Sequence, residues 1–102
     1  MADGGLRDEE LLEGLLGVAH EAELEVRVLS AGAAAAENAP TQSAAARVGA
    51  RIWVVLAPND PPAHQARILA ETLARHRSDF LEERFVAPAL RDFIERVDPQ
   101  ER

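Results

Sequence analysis

Residues 51–57 read RIWVVLA, and this stretch decides the fold that the sequence predicts. A run of β-branched and large apolar side chains of this length is typical of a strand. Ile52, Val54 and Leu56 share one face of that strand. Trp53 and Val55 share the other, because successive side chains alternate between faces. A strand that is apolar on both faces is usually central and covered on both sides.

The residues after this strand predict a helix. Residues 58–62 read PNDPP, and residues 63–76 read AHQARILAETLARH. Asp60 can cap the helix, and Pro61 and Pro62 fit its first turn. Its inner face, taken at helical spacing, comprises Ile68, Leu69, Thr72, Leu73 and His76.

A hairpin precedes the strand. Residues 44–48 predict a short partner strand, and Gly49-Ala50 can form a two-residue turn with glycine at the position that needs positive φ. Because the partner strand is short, we expect an edge of the sheet that is open to pairing.

An earlier strand and an N-terminal helix complete the first half of the chain. Residues 24–30 alternate apolar and charged side chains, which predicts a half-buried strand with Leu24, Val26 and Val28 facing inward. Asp8 can cap a helix before it, whose apolar stripe is Leu11, Leu12, Leu15, Leu16 and Ala19. Gly14 and Gly17 weaken this helix unless a neighbour packs closely there.

Two further helical segments follow residue 76. Ser78 or Asp79 starts a short turn that offers Phe80 and Leu81 for packing. Pro88 fits the first turn of a last helix, whose apolar side is Leu90, Phe93, Ile94 and Val97.

This order of elements predicts an α+β fold. It comprises an N-terminal helix, a three-stranded, mostly antiparallel sheet with a hairpin, and two or three C-terminal helices packed on the sheet. We expect one domain over residues 8–97, with frayed tails at 1–7 and 98–102. The Ala-rich residues 31–43 are expected to form a mobile loop.

Composition limits the partners that we expect. The formal net charge of the 102 residues is −7, and all eleven basic residues are arginine. Such a chain repels phosphate backbones, so no nucleic-acid partner is predicted. The chain contains no cysteine, which excludes disulfides and thiolate sites and fits a cytoplasmic location. No apolar segment approaches the roughly 20 residues that span a bilayer, so no membrane association is predicted.

The sequence suggests no catalytic or metal site. Its three histidines are His20, His64 and His76, and the last two are too far apart on one helix to bind the same ion. The serines lack the Gly-x-Ser-x-Gly context of a nucleophile. We therefore predict no catalytic residue, no metal ligand and no cofactor.

Residues 69–75 read LAETLAR, and with the preceding hairpin they resemble part of a known family. Residues 44–76 resemble the front half of the ImmA/IrrE-type minimal metallopeptidase domain, whose helix reads roughly Leu-Ala-His-Glu-Leu-Gly-His. Leu69-Ala70 matches the start of that motif. Glu71 and Arg75 stand at its two zinc-binding histidines, and Thr72 stands at its general base. The resemblance implies a relative without metal, to which no peptidase residue is carried over.

A second resemblance covers most of the chain. Residues 8–97 resemble a set of small bacterial proteins that share the order of elements, an Arg-Ile-Leu-Ala-type helix and a final segment matched here by FVAPALR, residues 85–91. These motifs are signals of fold rather than of activity.

The leading functional hypothesis is a non-enzymatic domain that binds a protein partner or assembles with itself. Trp53 and Val55 are candidate contact residues, with Arg84 and Arg91 on the C-terminal segment. For Trp53, a second core contact is the alternative interpretation, and it is the preferred one. For the arginines, salt bridging on an exposed face is the alternative.

Two alternatives come from other functional classes. One is a hydrolase with an unrecognised site near Glu71 and either His76 or His64. The other is a binder of small molecules or peptides, which would use the groove between the helix at 63–76 and the sheet.

Overall fold

The computed structural model describes residues 7–29 and 43–97. Within them the predicted α+β architecture is confirmed. The elements in chain order are α1 (Asp8–Glu21), β1 (Glu25–Val28), β2 (Ala44–Val48), β3 (Arg51–Leu56), α2 (Pro62–His76), α3 (Ser78–Glu83) and α4 (Pro88–Val97). The predicted tails and loop lie outside the described residues, except for Arg7 and Ser43.

The described strands form one sheet in the order β1-β3-β2, with β3 central as predicted. β2 pairs with β3 antiparallel, whereas β1 pairs with β3 parallel. The sheet is therefore mixed rather than mostly antiparallel. Parallel pairing requires a connection of a dozen or more residues, and residues 29–50 separate β1 from β3.

The hairpin between β2 and β3 has the predicted two-residue turn. Val48 pairs with Arg51, and Gly49 lies between them with a φ of +62°. Glycine accepts this backbone conformation at little steric cost, so the turn fixes the register of the two strands.

Helix α2 lies at the centre of the helical layer. It packs on β3, while α1, α3 and α4 pack against α2. Helices α3 and α4 make no contact with the sheet within the described residues, so of the three C-terminal helices only α2 packs on the sheet as predicted. The largest of the fully buried side chains lie between these layers: Leu15, Val54, Leu56, Leu69 and Leu73.

Only one face of the sheet is covered by the helices that the structure describes. Ile52, Val54 and Leu56 on the inner face are buried, whereas Trp53 and Val55 are half-buried. The expectation that helices cover both faces of β3 is therefore not met by this part of the chain.

Two predictions about α1 and β1 are wrong. Val28 does not face the core but is 62% exposed, because β1 is an edge strand and α1, which leads into it, covers only its start. The N-cap of α1 is Arg7 rather than Asp8. The Arg7 amide donates a 3.1 Å hydrogen bond to the side chain of Glu10.

Asp60 does not cap α2 either. Pro61 occupies the N-cap position, with Pro62 as the first residue of the helix. This arrangement leaves the Asp60 carboxylate available for a different contact, described below.

Candidate functional site

Among the strands that the structure describes, β2 lies at a free edge of the sheet. All five of its residues are exposed, and the apolar side chain of Val48 is 58% exposed. In a hairpin with a two-residue turn, the residues flanking the turn form a hydrogen-bonded pair. That pair is Val48–Arg51, so the N–H and C=O groups of Ala45 and Arg47 point away from β3. We call residues 44–48 the β2 edge.

Three arginines carry positive charge close to His76, at the end of α2. Burial lowers the pKa of His76, and the positive charges of Arg75, Arg47 and Arg77 lower it further. Arg47 comes from β2, and the other two come from the end of α2. We call Arg47, Arg75 and Arg77 the basic cluster, a local concentration of positive charge in a chain of net charge −7.

Trp53 lies on the outer face of the sheet, within reach of the β2 edge. The guanidinium carbon of Arg27 lies 5.0 Å from the centroid of the indole ring, which is within the range of a cation–π contact. Ala46 is the β2 partner of Trp53, and Ala44 is that of Val55. Because alanine side chains are small, both predicted contact residues can be approached across β2.

Arg84 and Arg91 lie elsewhere, on the C-terminal segment. The guanidinium carbon of Arg84 is 5.1 Å from the centroid of the Phe80 ring. Arg91 donates hydrogen bonds from Nη2 to the carbonyl oxygens of Leu81, at 2.7 Å, and Arg84, at 3.4 Å. The structure brings Arg84 and Arg91 together but keeps them apart from Trp53 and Val55, since α3 and α4 do not contact the sheet.

The residues of the predicted hydrolase site do not share a cavity. Glu71 forms a 3.0 Å ion pair with Arg67, and its side chain is 33% exposed. Glu71, His64 and His76 line neither the cavity between α2, α3 and α4 nor the one beside the start of β1. Among residues 7–29 and 43–97, no three His, Asp or Glu side chains are placed to hold a metal ion.

The predicted groove between α2 and the sheet is filled by core side chains. Four α2 residues are completely inaccessible to solvent: Ala66, Leu69, Ala70 and Leu73. The two alanines let the helix approach closely, and the two leucines occupy the space beneath it.

A polar contact that sequence reasoning missed anchors the start of β2. The Ser43 amide donates a 2.6 Å hydrogen bond to Asp60 Oδ2, and Ser43 Oγ accepts a 2.9 Å bond from the Ala57 amide. Hydrogen bonding to the backbone and the side chain of Ser43 lowers the pKa of Asp60. Counting residues along both strands from the Gly49 turn places Ser43 opposite Leu56. This count could have predicted the contact from the sequence. Ser43 is 5% exposed, so its role is structural.

Comparison of the chain with protein-family models, with curated proteins and with solved structures gives no match. The candidate sites therefore rest on the geometry of this structure alone. In the part of the chain that the structure describes, every helix is too short or too polar to cross a membrane.

Proposed function

We propose that this domain is a non-enzymatic protein-binding module that receives an extended, acidic segment of a partner protein along the β2 edge. The observation that carries the proposal is the exposure of every residue of this edge strand. An extended peptide that adds a strand to an exposed sheet edge gains affinity from main-chain hydrogen bonds.

The backbone of β2 supports this mode of binding. The outward N–H and C=O groups of Ala45 and Arg47 offer two donors and two acceptors to an incoming strand. The strand contains no proline and only one charged residue, Arg47. Proline and charge are the usual devices that block pairing at an edge, so the β2 edge is only lightly protected.

The basic cluster supports an acidic partner. Arg47 lies on the side of β2 that faces the end of α2, where Arg75 and Arg77 add to its charge. An incoming strand with carboxylates on that side would meet the Arg47 guanidinium, whereas the Arg77 guanidinium donates to the carbonyl oxygens of Ala22 and His76. If two copies of the chain paired their β2 strands antiparallel about Ala46, the basic clusters of both copies would lie on the same face of the joined sheet. Their like charges oppose that arrangement.

Trp53 supports a role for the outer face of the sheet. Side chains of an added strand alternate between faces, so those on the outer side would pass over Ala46 toward the indole. Aromatic residues are frequent anchors at protein interfaces. The proposed resemblance to the minimal metallopeptidase domain, without its metal ligands, is compatible with a binding role.

The test uses two synthetic peptides with alternating residues, one of Val and Glu and one of Val and Lys. Each is titrated into the ¹⁵N-labelled chain while amide shifts and the emission of Trp53, the one tryptophan of the sequence, are followed. We expect the Glu peptide to shift the amides of Ala45 and Arg47 and to change the Trp53 emission. The Lys peptide should leave them unchanged.

Two variants and one control sharpen this test. Ala45→Pro removes an outward N–H but no hydrogen bond to β3, so it should abolish binding and keep the fold. Arg47→Glu should weaken binding of the Glu peptide. Arg96→Glu changes a charge on α4, which does not contact the sheet, and should have no effect. Equal binding of both peptides, or shifts confined to β1, would contradict the proposal.

A further inference from the structure

We propose that two copies of this chain associate with twofold symmetry through the C-terminal segment, each inserting Phe85 into a cavity of the other between α2, α3 and α4. This surface is separate from the β2 edge, and the inference stands on different observations. It names a second copy as the occupant of the cavity.

Phe85 is the projecting part of this surface. Its side chain is 87% exposed, whereas that of the next residue, Val86, is 5% exposed. The backbone at Arg84 is extended, with φ −115° and ψ 152°, so successive side chains in this connection point in opposite directions. Val86 is directed into the core, and Phe85 is consequently held in solvent.

The cavity lies beside Phe85 and has the size of an aromatic ring. Its volume is about 170 Å³, and Leu81, Val86 and Ile94 supply its apolar lining. A protein cavity of about 150 Å³ lined by apolar side chains binds benzene. The side chain of phenylalanine therefore fits this space, and its entry would remove the ring from water.

Arg91 gives the cavity a preference for an aromatic occupant. The residue lines the cavity, and Nη2 is held in place by the carbonyl oxygen of Leu81 at 2.7 Å. A guanidinium fixed in this way presents a cationic plane, and the face of a phenyl ring attracts a cation.

Charges around the cavity match those around Phe85. Glu82 and Glu95 line the cavity and are exposed, and Arg84 precedes Phe85. Within the described residues none of these three side chains forms an ion pair. Insertion of Phe85 would bring Arg84 of one copy to the carboxylates of the other.

The same chain thus supplies the ring, the cavity and both signs of charge on one surface. A twofold interface requires a self-complementary patch of this kind, in which residue i contacts j and j contacts i. A second copy meets all of these requirements, and each contact is made twice.

The experiment is sedimentation velocity of the full chain over a concentration series. We expect a concentration-dependent dimer, because a small interface gives modest affinity. Phe85→Ala should weaken dimerisation by at least about tenfold, as expected for an anchor residue, without unfolding the monomer, since the ring is exposed. Ala74→Leu, which adds volume inside the cavity, should have a similar effect. Val48→Ala removes apolar surface from the β2 edge and serves as the control.

A charge exchange tests the pairing of residues across the interface. Arg84→Glu alone and Glu95→Arg alone should each weaken the dimer, and the double variant should recover it. A chain that stays monomeric at every concentration overturns the proposal. A dimer that is unaffected by Phe85→Ala and Ala74→Leu also overturns it, because the cavity then has another occupant or none.

Discussion

The amide of Ser43 donates a 2.6 Å hydrogen bond to the carboxylate of Asp60, 17 positions further along the chain. Asp60 belongs to the turn between β3 and α2, and Ser43 directly precedes β2. The contact fixes the residue that precedes the β2 edge to the turn that begins α2. Gln65 on α2 reinforces this turn by donating from Nε2 to the carbonyl oxygens of Ala57 and Asp60.

Ser43→Ala should destabilise the fold by about 1–3 kcal/mol, because it leaves the buried Ala57 amide without its hydrogen-bond acceptor. Ala57 is 2% exposed, so water cannot replace the hydroxyl. Urea unfolding followed by Trp53 emission measures the change. Ser78→Ala, at an exposed position, is the matched control and should change the free energy of unfolding by less than about 0.5 kcal/mol. An equal effect of the two substitutions would contradict this role of Ser43.

Asp60 should make the domain sensitive to acid. The hydrogen bonds from Ser43 lower the pKa of Asp60 in the folded chain below its ordinary value of 3.8. The folded state therefore binds fewer protons than the unfolded state just below pH 4, and stability falls as the pH falls through that window. Asp60→Asn should remove this part of the acid dependence, measured as the free energy of unfolding between pH 5 and pH 2.5.

Asp92→Asn is the control for Asp60. The side chain of Asp92 is 70% exposed and pairs with Arg96 on the surface of α4, where an ion pair contributes little. Its acid dependence should match that of the unsubstituted chain. If Asp60→Asn also leaves the acid dependence unchanged, the contact with Ser43 does not control it.

His76 should add a second pH dependence at milder acidity. Burial and the charges of Arg75, Arg47 and Arg77 lower its pKa below the ordinary 6.5. Unfolding then takes up a proton in the window just below pH 6.5, so stability should decrease as the pH falls through it. The His76 pKa, read from its imidazole proton resonances, should rise in Arg47→Gln, because one positive charge is removed. An unchanged pKa would contradict the placement of Arg47 in the basic cluster.

Gly14 and Gly17 should respond differently to alanine although both lie in α1. A Cβ atom at Gly14 would come within 3.0 Å of both terminal carbons of Leu90, whereas one at Gly17 would meet no atom within 4 Å. Gly17→Ala should stabilise the domain by up to about 1 kcal/mol through helix propensity. Gly14→Ala should gain less or lose stability, because Leu90 on α4 must move. Thermal unfolding measures the stability of the two variants. Equal increases in stability would show that Leu90 on α4 moves without destabilising the domain.

Local patterns in the sequence predicted the helices, the central strand and the hairpin. Helical spacing identified Leu69 and Leu73 on α2, and the Gly49 turn identified the pairing of β2 with β3. The resemblance to the minimal metallopeptidase domain is a prediction that the fold alone does not test. These features depend on residues close in sequence, whose periodicity and turn preferences are visible without the rest of the chain.

Contacts between segments distant in sequence decided the features of the fold that local patterns did not predict. The parallel pairing of β1, the exposure of Val28 and the use of Asp60 by Ser43 follow from the order of strands in the sheet, which no local pattern encodes. Phe85 and Val86 are both apolar, yet one lies in solvent and the other in the core. That difference depends on how α3 and α4 pack against α2. The sequence by itself determined which segments form helices and strands, while the packing of distant segments determined which side chains are left for partners.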